Sequence, residues 1–286
     1  MRLIERILLL LKLISAFGAR GIPIAWKLYV GRPGKIVCVS LPGGHRMFVR
    51  KRTGEVAVFR QAFLERESDF MVFPQGTLVM KKYREILACG RKPLVIVCGA
   101  NTGLSAIFFV LLFPQAVVVA LEPSDDNFEM LRRNVGLYES IVPIHAGIWD
   151  RKTYLKIVNA TAEPFAYQTV ECGPAEPDAL AALTIADLLE RFPDGQPLLI
   201  KIDVEGSEQA LFRSNTGWVE QTPVLIIELH DWLLPQKRTS APFLSLVAKM
   251  RLDFLVRGEN IFVLNWAALA EEGCEPRDKS PIDSDL

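Results

Sequence analysis

Three short segments carry the residue types that do chemistry. In the first, Leu94-Val95-Ile96-Val97-Cys98 runs into Gly99-Ala100-Asn101-Thr102-Gly103, and the apolar run Ala116–Leu121 ends on Glu122-Pro123. An acid at a strand tip, about 20 residues beyond a glycine turn, is placed to accept hydrogen bonds from both hydroxyls of a ribose. The spacing is Gly-x-x-x-Gly, not the Gly-x-Gly-x-x-Gly of dinucleotide sites, so it proposes a nucleoside cofactor without a pyrophosphate cradle. Gly99 and Gly103 allow a sharp turn and close backbone approach. Asn101 either binds the amino-acid end of a ligand or caps the following helix. Asp150 either reaches an adenine amino group or is a turn residue.

The second segment is Ile200-Lys201-Ile202-Asp203-Val204-Glu205-Gly206-Ser207-Glu208. An apolar strand breaks at a glycine into a helix, and three carboxylates and a lysine gather where it ends. The third is Ile226-Ile227-Glu228-Leu229-His230-Asp231. Glu228 and His230 share one strand face by period-two alternation. A histidine near its solution pKa is a sensible general base at a substrate hydroxyl, or it is simply a hydrogen-bonded strand-end residue. Asp203 is the other candidate base, with Glu205 beside it. Glu208 suits a helix N-terminus electrostatically. Asp203, Glu228 and His230 could hold a divalent cation, but no local ligand spacing demands one, so no metal site is expected. His145 reads as a satisfied rim or core histidine.

The elements that must position these residues follow from hydrophobic patterning. Residues 1 to about 30 read as helical. Residues about 35 to 60 alternate apolar and polar around Pro42-Gly43-Gly44, as in a β-hairpin. From about 78 the pattern becomes alternating strands (94–98, 116–121, 141–145, 198–203, 223–229) and helices (102–112, 124–137, 183–192, 206–214). That order implies a parallel sheet with helices on both faces. Ser124-Asp125-Asp126-Asn127 is a good helix start. Residues 252–257 and 261–265, joined by Gly258-Glu259-Asn260, read as a closing hairpin. The stretch from about 159 to 182 has no period and reads as a loop over the site or an edge excursion. The boundaries expected are a 1–77 helix-and-hairpin extension, a 78–268 catalytic domain and a disordered 269–286 tail.

Composition narrows the classes. Lys plus Arg and Asp plus Glu both number 33, and zero net charge gives no broad electrostatic case for nucleic acid. Cys38, Cys89, Cys98, Cys172 and Cys274 are scattered and odd in number, without a CxxC pair. Reduced thiols in a cytoplasmic protein are the simplest expectation. Residues 1–30 fit a signal peptide, an interfacial amphipathic helix or a helix packed on the domain. Glu5, Arg6, Lys12 and Arg20 interrupt any spanning run.

Taken in order, Val97-Cys98-Gly99-Ala100-Asn101-Thr102-Gly103, Leu121-Glu122-Pro123, Leu183-Thr184-Ile185-Ala186-Asp187-Leu188, the 200–208 segment and Ile227-Glu228-Leu229-His230 resemble the FkbM family of S-adenosylmethionine-dependent methyltransferases, over about residues 45 to 265. The resemblance implies an α/β class I methyltransferase (Rossmann-like) fold, with a seven-stranded, mostly parallel sheet whose last strand is antiparallel. It implies S-adenosyl-L-methionine as cofactor, with Gly99, Asn101 and Gly103 in its loop and Glu122 on its ribose. It also implies Asp203, Glu205 and His230 at the methyl acceptor. The family commonly has Asp where this chain has Val97, a carboxylate that helps hold the loop and the cofactor's ammonium end. The function expected is O-methylation of a hydroxyl on a glycan, lipid or secondary metabolite, with peripheral membrane contact through residues 1–30 favouring a lipid-linked acceptor. The alternatives are a binding or scaffold protein that keeps the fold, favoured by Val97, and an NAD-dependent oxidoreductase, disfavoured by the missing third glycine.

Overall fold

The computed structural model describes residues 3–159 and 167–270. Among the described residues, thirteen strands run in chain order. They are β1 (Ile36–Ser40), β2 (Arg46–Arg50), β3 (Lys92–Cys98), β4 (Val117–Glu122), β5 (Ile141–His145), β6 (Gly147–Ile148), β7 (Thr153–Ile157), β8 (Thr169–Cys172), β9 (Leu180–Leu183), β10 (Gly195–Ile202), β11 (Val224–Glu228), β12 (Leu252–Arg257) and β13 (Asn260–Asn265). Seven form the central sheet, in the order β12-β13-β11-β10-β3-β4-β5. The pairings from β11 through β10, β3 and β4 to β5 are all parallel. Strand β13 runs antiparallel to both of its neighbours, closing the sheet as a hairpin with β12.

The central strands carry apolar runs because both faces are covered. Along β3, Val95 and Val97 enter one buried cluster while Leu94, Ile96 and Cys98 enter the other. Strand β11 divides likewise, with Val224 and Ile226 against Leu225 and Ile227. The first layer holds the helices Gly76–Ala88, Leu104–Leu112 and Asp125–Val135; the second holds Ile185–Arg191, Glu208–Leu211 and Ala241–Val247. The N-terminal elements share the first layer, since Leu13, Leu28, Val39 and Val49 belong to the same cluster as Val95 and Val97.

The helix starts follow local capping chemistry. Ser124 accepts from the Asn127 backbone amide, and Thr184 and Asp187 form a reciprocal capping box. Four expectations shift. Strand β11, expected over 223–229, ends at Glu228, so His230 lies beyond it and does not share a strand face with Glu228. The strand expected over 198–203 ends at Ile202, which puts Asp203 on the turn beyond it. The helix expected over 206–214 is only Glu208–Leu211. Part of the stretch without period is structured: β8 and β9 join β6 and β7 in a second sheet, ordered β6-β9-β7-β8. Residues 160–166 and the tail from 271 lie outside the described residues.

Candidate active site

Parallel strands deliver their last residues to one edge of the sheet, and ligands of open α/β folds bind there. Here the ends of β3, β4, β10 and β11 surround a cavity of about 300 Å³. Gly99, Asn101 and Glu122 line one side; Lys201, Asp203, Glu205 and Glu228 line another.

The glycine turn is built by close packing. Gly99 has φ +77, and a Cβ on it would lie 1.8 Å from the Asp203 carbonyl oxygen. The Asp203 amide donates to the Cys98 carbonyl at 3.0 Å, so the turns after β3 and β10 are joined. Gly103 has φ +86 and opens the helix Leu104–Leu112; a Cβ there would meet Leu131 at 2.7 Å. Asn101, at φ +51, accepts the Thr102 amide on its side-chain oxygen at 2.7 Å. It therefore caps the turn while lining the cavity. Val97 is fully buried in the apolar cluster and does not line the cavity.

Glu122 is the last residue of β4 and is 5% exposed. Its Oε2 accepts the Asn101 amide at 2.8 Å and its Oε1 the Ser124 amide at 3.0 Å. Burial raises its pKa to about 7 against the pull of these bonds. Oε1 also accepts from the Asn127 side-chain amide at 3.5 Å, so it is Oε2 that keeps a lone pair for a further donor.

The opposite wall is dense in charge. The buried Lys201 ammonium donates to Asp203 Oδ2 at 2.7 Å. Burial opposes ionisation of Asp203, but Lys201 and then His230 hold its carboxyl below the ordinary range. Burial lifts the Glu205 carboxyl to about 8, His230 opposing and the neighbouring acids adding to the rise. Glu205 has φ +49, a left-handed conformation that non-glycine residues avoid. Burial disfavours the His230 imidazolium, yet the hydrogen bond to Glu208 and the surrounding carboxylates raise its pKa to about 11. Glu259 is held above its ordinary range, first by Glu228.

The expected site residues divide accordingly. Gly99, Asn101, Glu122, Asp203 and Glu205 line one cavity, and His230 lies within 4 Å of Asp203, Glu205 and Glu228 without lining it. Asp150 does not line it: its carboxylate accepts from Arg213, Ser214 and Arg151, and its carbonyl accepts from Asn215. His145 is a rim residue stacked on Phe128 with ring centroids 4.5 Å apart. Glu67, Trp232 and Glu259 also line the cavity. No spacing along the chain marks them; Glu67 arrives from the N-terminal elements, and Glu259 sits in the hairpin turn that sequence explains without function. Glu208 is fully buried and binds the His230 ring, a partnership hidden behind its ordinary place at a helix start.

Residues 98–255 match the family model described as the methyltransferase FkbM domain. The chain belongs to the FkbM methyltransferase family. Its methyl donor is S-adenosylmethionine. Solved structures similar to this FkbM protein include TYW2 of M. jannaschii in complex with AdoMet, at 13% identity over 82% of this chain and 85% of that chain, with a TM-score of 0.36. Another is the SAH-bound methyltransferase PaMTH1 of Podospora anserina, at 12% identity, 67% and 76% coverage and a TM-score of 0.37. A third is the precorrin-6y C5,15-methyltransferase of Geobacter metallireducens, at 12% identity, 63% and 84% coverage and a TM-score of 0.32. No curated protein matches the sequence. The residues present fit the family's cofactor: Glu122 Oε2 offers a lone pair to a ribose hydroxyl, and the acidic wall suits a cationic sulfonium and ammonium.

Proposed function

We propose that this protein O-methylates a hydroxyl on a glycan or lipid-linked acceptor. The observation that carries the reading is a single cavity, with a ribose-accepting carboxylate on one side and an acid cluster on the other. Bound there, S-adenosylmethionine supplies an electrophilic methyl, which the acceptor oxygen takes while sulfur keeps the bonding pair. The chain contributes alignment and proton removal. Glu122 and the turn at Gly99 hold the nucleoside end. Glu205 takes the acceptor's proton on positional grounds: it lines the cavity and makes no hydrogen bond of its own among the described residues, whereas Lys201 engages Asp203 and Glu208 engages His230. Trp232, 69% exposed and part of the cavity wall, offers a flat apolar face on which a sugar ring can stack.

A lipid-linked acceptor is favoured by the N-terminus. The helical stretch Ile7–Tyr29 is long and apolar enough to cross a membrane, with mean hydropathy 1.8. It is bent back at Gly21, where a Cβ would lie 2.3 Å from the Leu13 carbonyl oxygen. Leu13, Ile24 and Leu28 face the core; Ile7, Leu8, Leu11, Ile22 and Trp26 face outward. From residue 6 to residue 54 the chain carries Arg6, Lys12, Arg20, Lys27, Arg32, Lys35, Arg46, Arg50, Lys51 and Arg52, and no acid. An exposed apolar face within a basic segment matches an anionic bilayer surface.

The test is calorimetry with S-adenosylhomocysteine, followed by transfer of a labelled methyl to extracted glycolipids. Binding and alkali-stable label on the lipid fraction are expected. A folded chain that does not bind S-adenosylhomocysteine at millimolar concentration sinks the enzyme reading in favour of a scaffold.

A further inference from the structure

We infer that the carboxyl ends of β10 and β11 form a site for one divalent transition-metal cation, held by His230 Nε2 with Asp203 and Glu228. The case begins at the imidazole. His230 is 1% exposed, and its Nδ1 lies 2.6 Å from Glu208 Oε1. A carboxylate only accepts, so Nδ1 carries the proton and the ring is fixed in orientation. Buried Nε2 has no hydrogen-bond partner among the described residues. It faces three carboxylates and none closes on it: Glu228 Oε1 is at 3.4 Å, Glu205 Oε2 at 3.5 Å and Asp203 Oδ1 at 3.9 Å.

That spacing is informative. A proton shared between Nε2 and a carboxylate would draw one oxygen to about 2.8 Å. Ligands about 2.1 Å from a tetrahedral cation stand about 3.4 Å from one another. The gaps around Nε2 follow the second pattern. One donor atom each from Asp203, Glu228 and His230 lie within 4.8 Å of one another. A carboxylate behind the ring, here Glu208, is the usual means of orienting a metal-bound histidine and raising its basicity. Lys201 takes Asp203 Oδ2 and leaves Oδ1 for the ion.

One imidazole and two carboxylates suit Mn²⁺ or Zn²⁺ better than Mg²⁺. Linear spacing does not announce the site, because its donors come from the last residue of one strand and the turns beyond two strands. The ion's role rests on the methyl-transfer reading: a dication beside the acceptor lowers the pKa of its hydroxyl. Binding itself is tested without cofactor or acceptor. The full chain, dialysed against chelator, is titrated with Mn²⁺ by calorimetry, with Zn²⁺ as competitor. One site per chain is expected, weakened at least about tenfold in Glu228→Gln and Asp203→Asn, and about 10–100-fold in Glu208→Gln. Each variant is checked for folding by circular dichroism and thermal melting. Wild-type protein that binds neither ion at millimolar concentration, or folded Glu228→Gln and Asp203→Asn that bind as wild type does, overturns the site. A chain that binds S-adenosylhomocysteine but neither Mn²⁺ nor Zn²⁺ loses the metal alone; one that binds either ion but no S-adenosylhomocysteine keeps the metal and loses the transfer reading.

Discussion

Glu122 concentrates the site's chemistry in one carboxyl. If Oε2 holds a ribose hydroxyl, Glu122→Ala weakens S-adenosylhomocysteine binding by about 1–3 kcal/mol, measurable by calorimetry; unchanged affinity refutes the role. Its ionisation also reports on folding. The folded-state pKa near 7 lies above the ordinary 4.5. Between these values the folded chain holds a proton that the unfolded chain has lost, so this contribution is fully present below pH 4.5. It falls away as pH rises through 7, by on the order of 3 kcal/mol. Glu122→Gln is neutral throughout, and its denaturation series against pH loses that slope; a variant as steep as wild type contradicts the assignment. Glu122 was legible in the sequence because a strand and a turn fix its place locally. The His230–Glu208 pair was not. Twenty-two residues separate them, and only the folded packing shows that the helix start faces the end of β11.

The turns after β3 and β10 act as one element. Gly99 is required there on two counts, its positive φ and the carbonyl that fills the space of a Cβ. Gly99→Ala should therefore destabilise the chain by at least about 1–3 kcal/mol and depress S-adenosylhomocysteine binding, read by thermal melting and calorimetry. Wild-type stability would show that the approach is looser than 1.8 Å. At this scale the sequence was informative. The parallel strands declare themselves through runs of Val, Ile and Leu, and the closing hairpin through Gly258-Glu259-Asn260. The second sheet escaped notice because its strands are short, half-exposed and lack a clean alternation; β8 is Thr169–Cys172, with Val170 exposed.

Across the whole molecule, neutrality conceals segregation. Total charge balances, yet the first fifth of the chain is basic and the cavity wall is acidic. Sedimentation with vesicles of anionic lipid should capture the protein, and added salt should release it. Trp26→Glu, at a 68% exposed position, should reduce capture several-fold without altering S-adenosylhomocysteine affinity. Equal capture by neutral vesicles would contradict the electrostatic part. The joined turns then carry a thermodynamic consequence. The Cys98–Asp203 hydrogen bond ties the nucleoside side of the cavity to the acid cluster, so whatever orders one turn orders both. Any linkage this bond creates between occupancy of the two sides is reciprocal. The factor by which Mn²⁺ tightens S-adenosylhomocysteine equals the factor by which S-adenosylhomocysteine tightens Mn²⁺, and two titrations close that cycle.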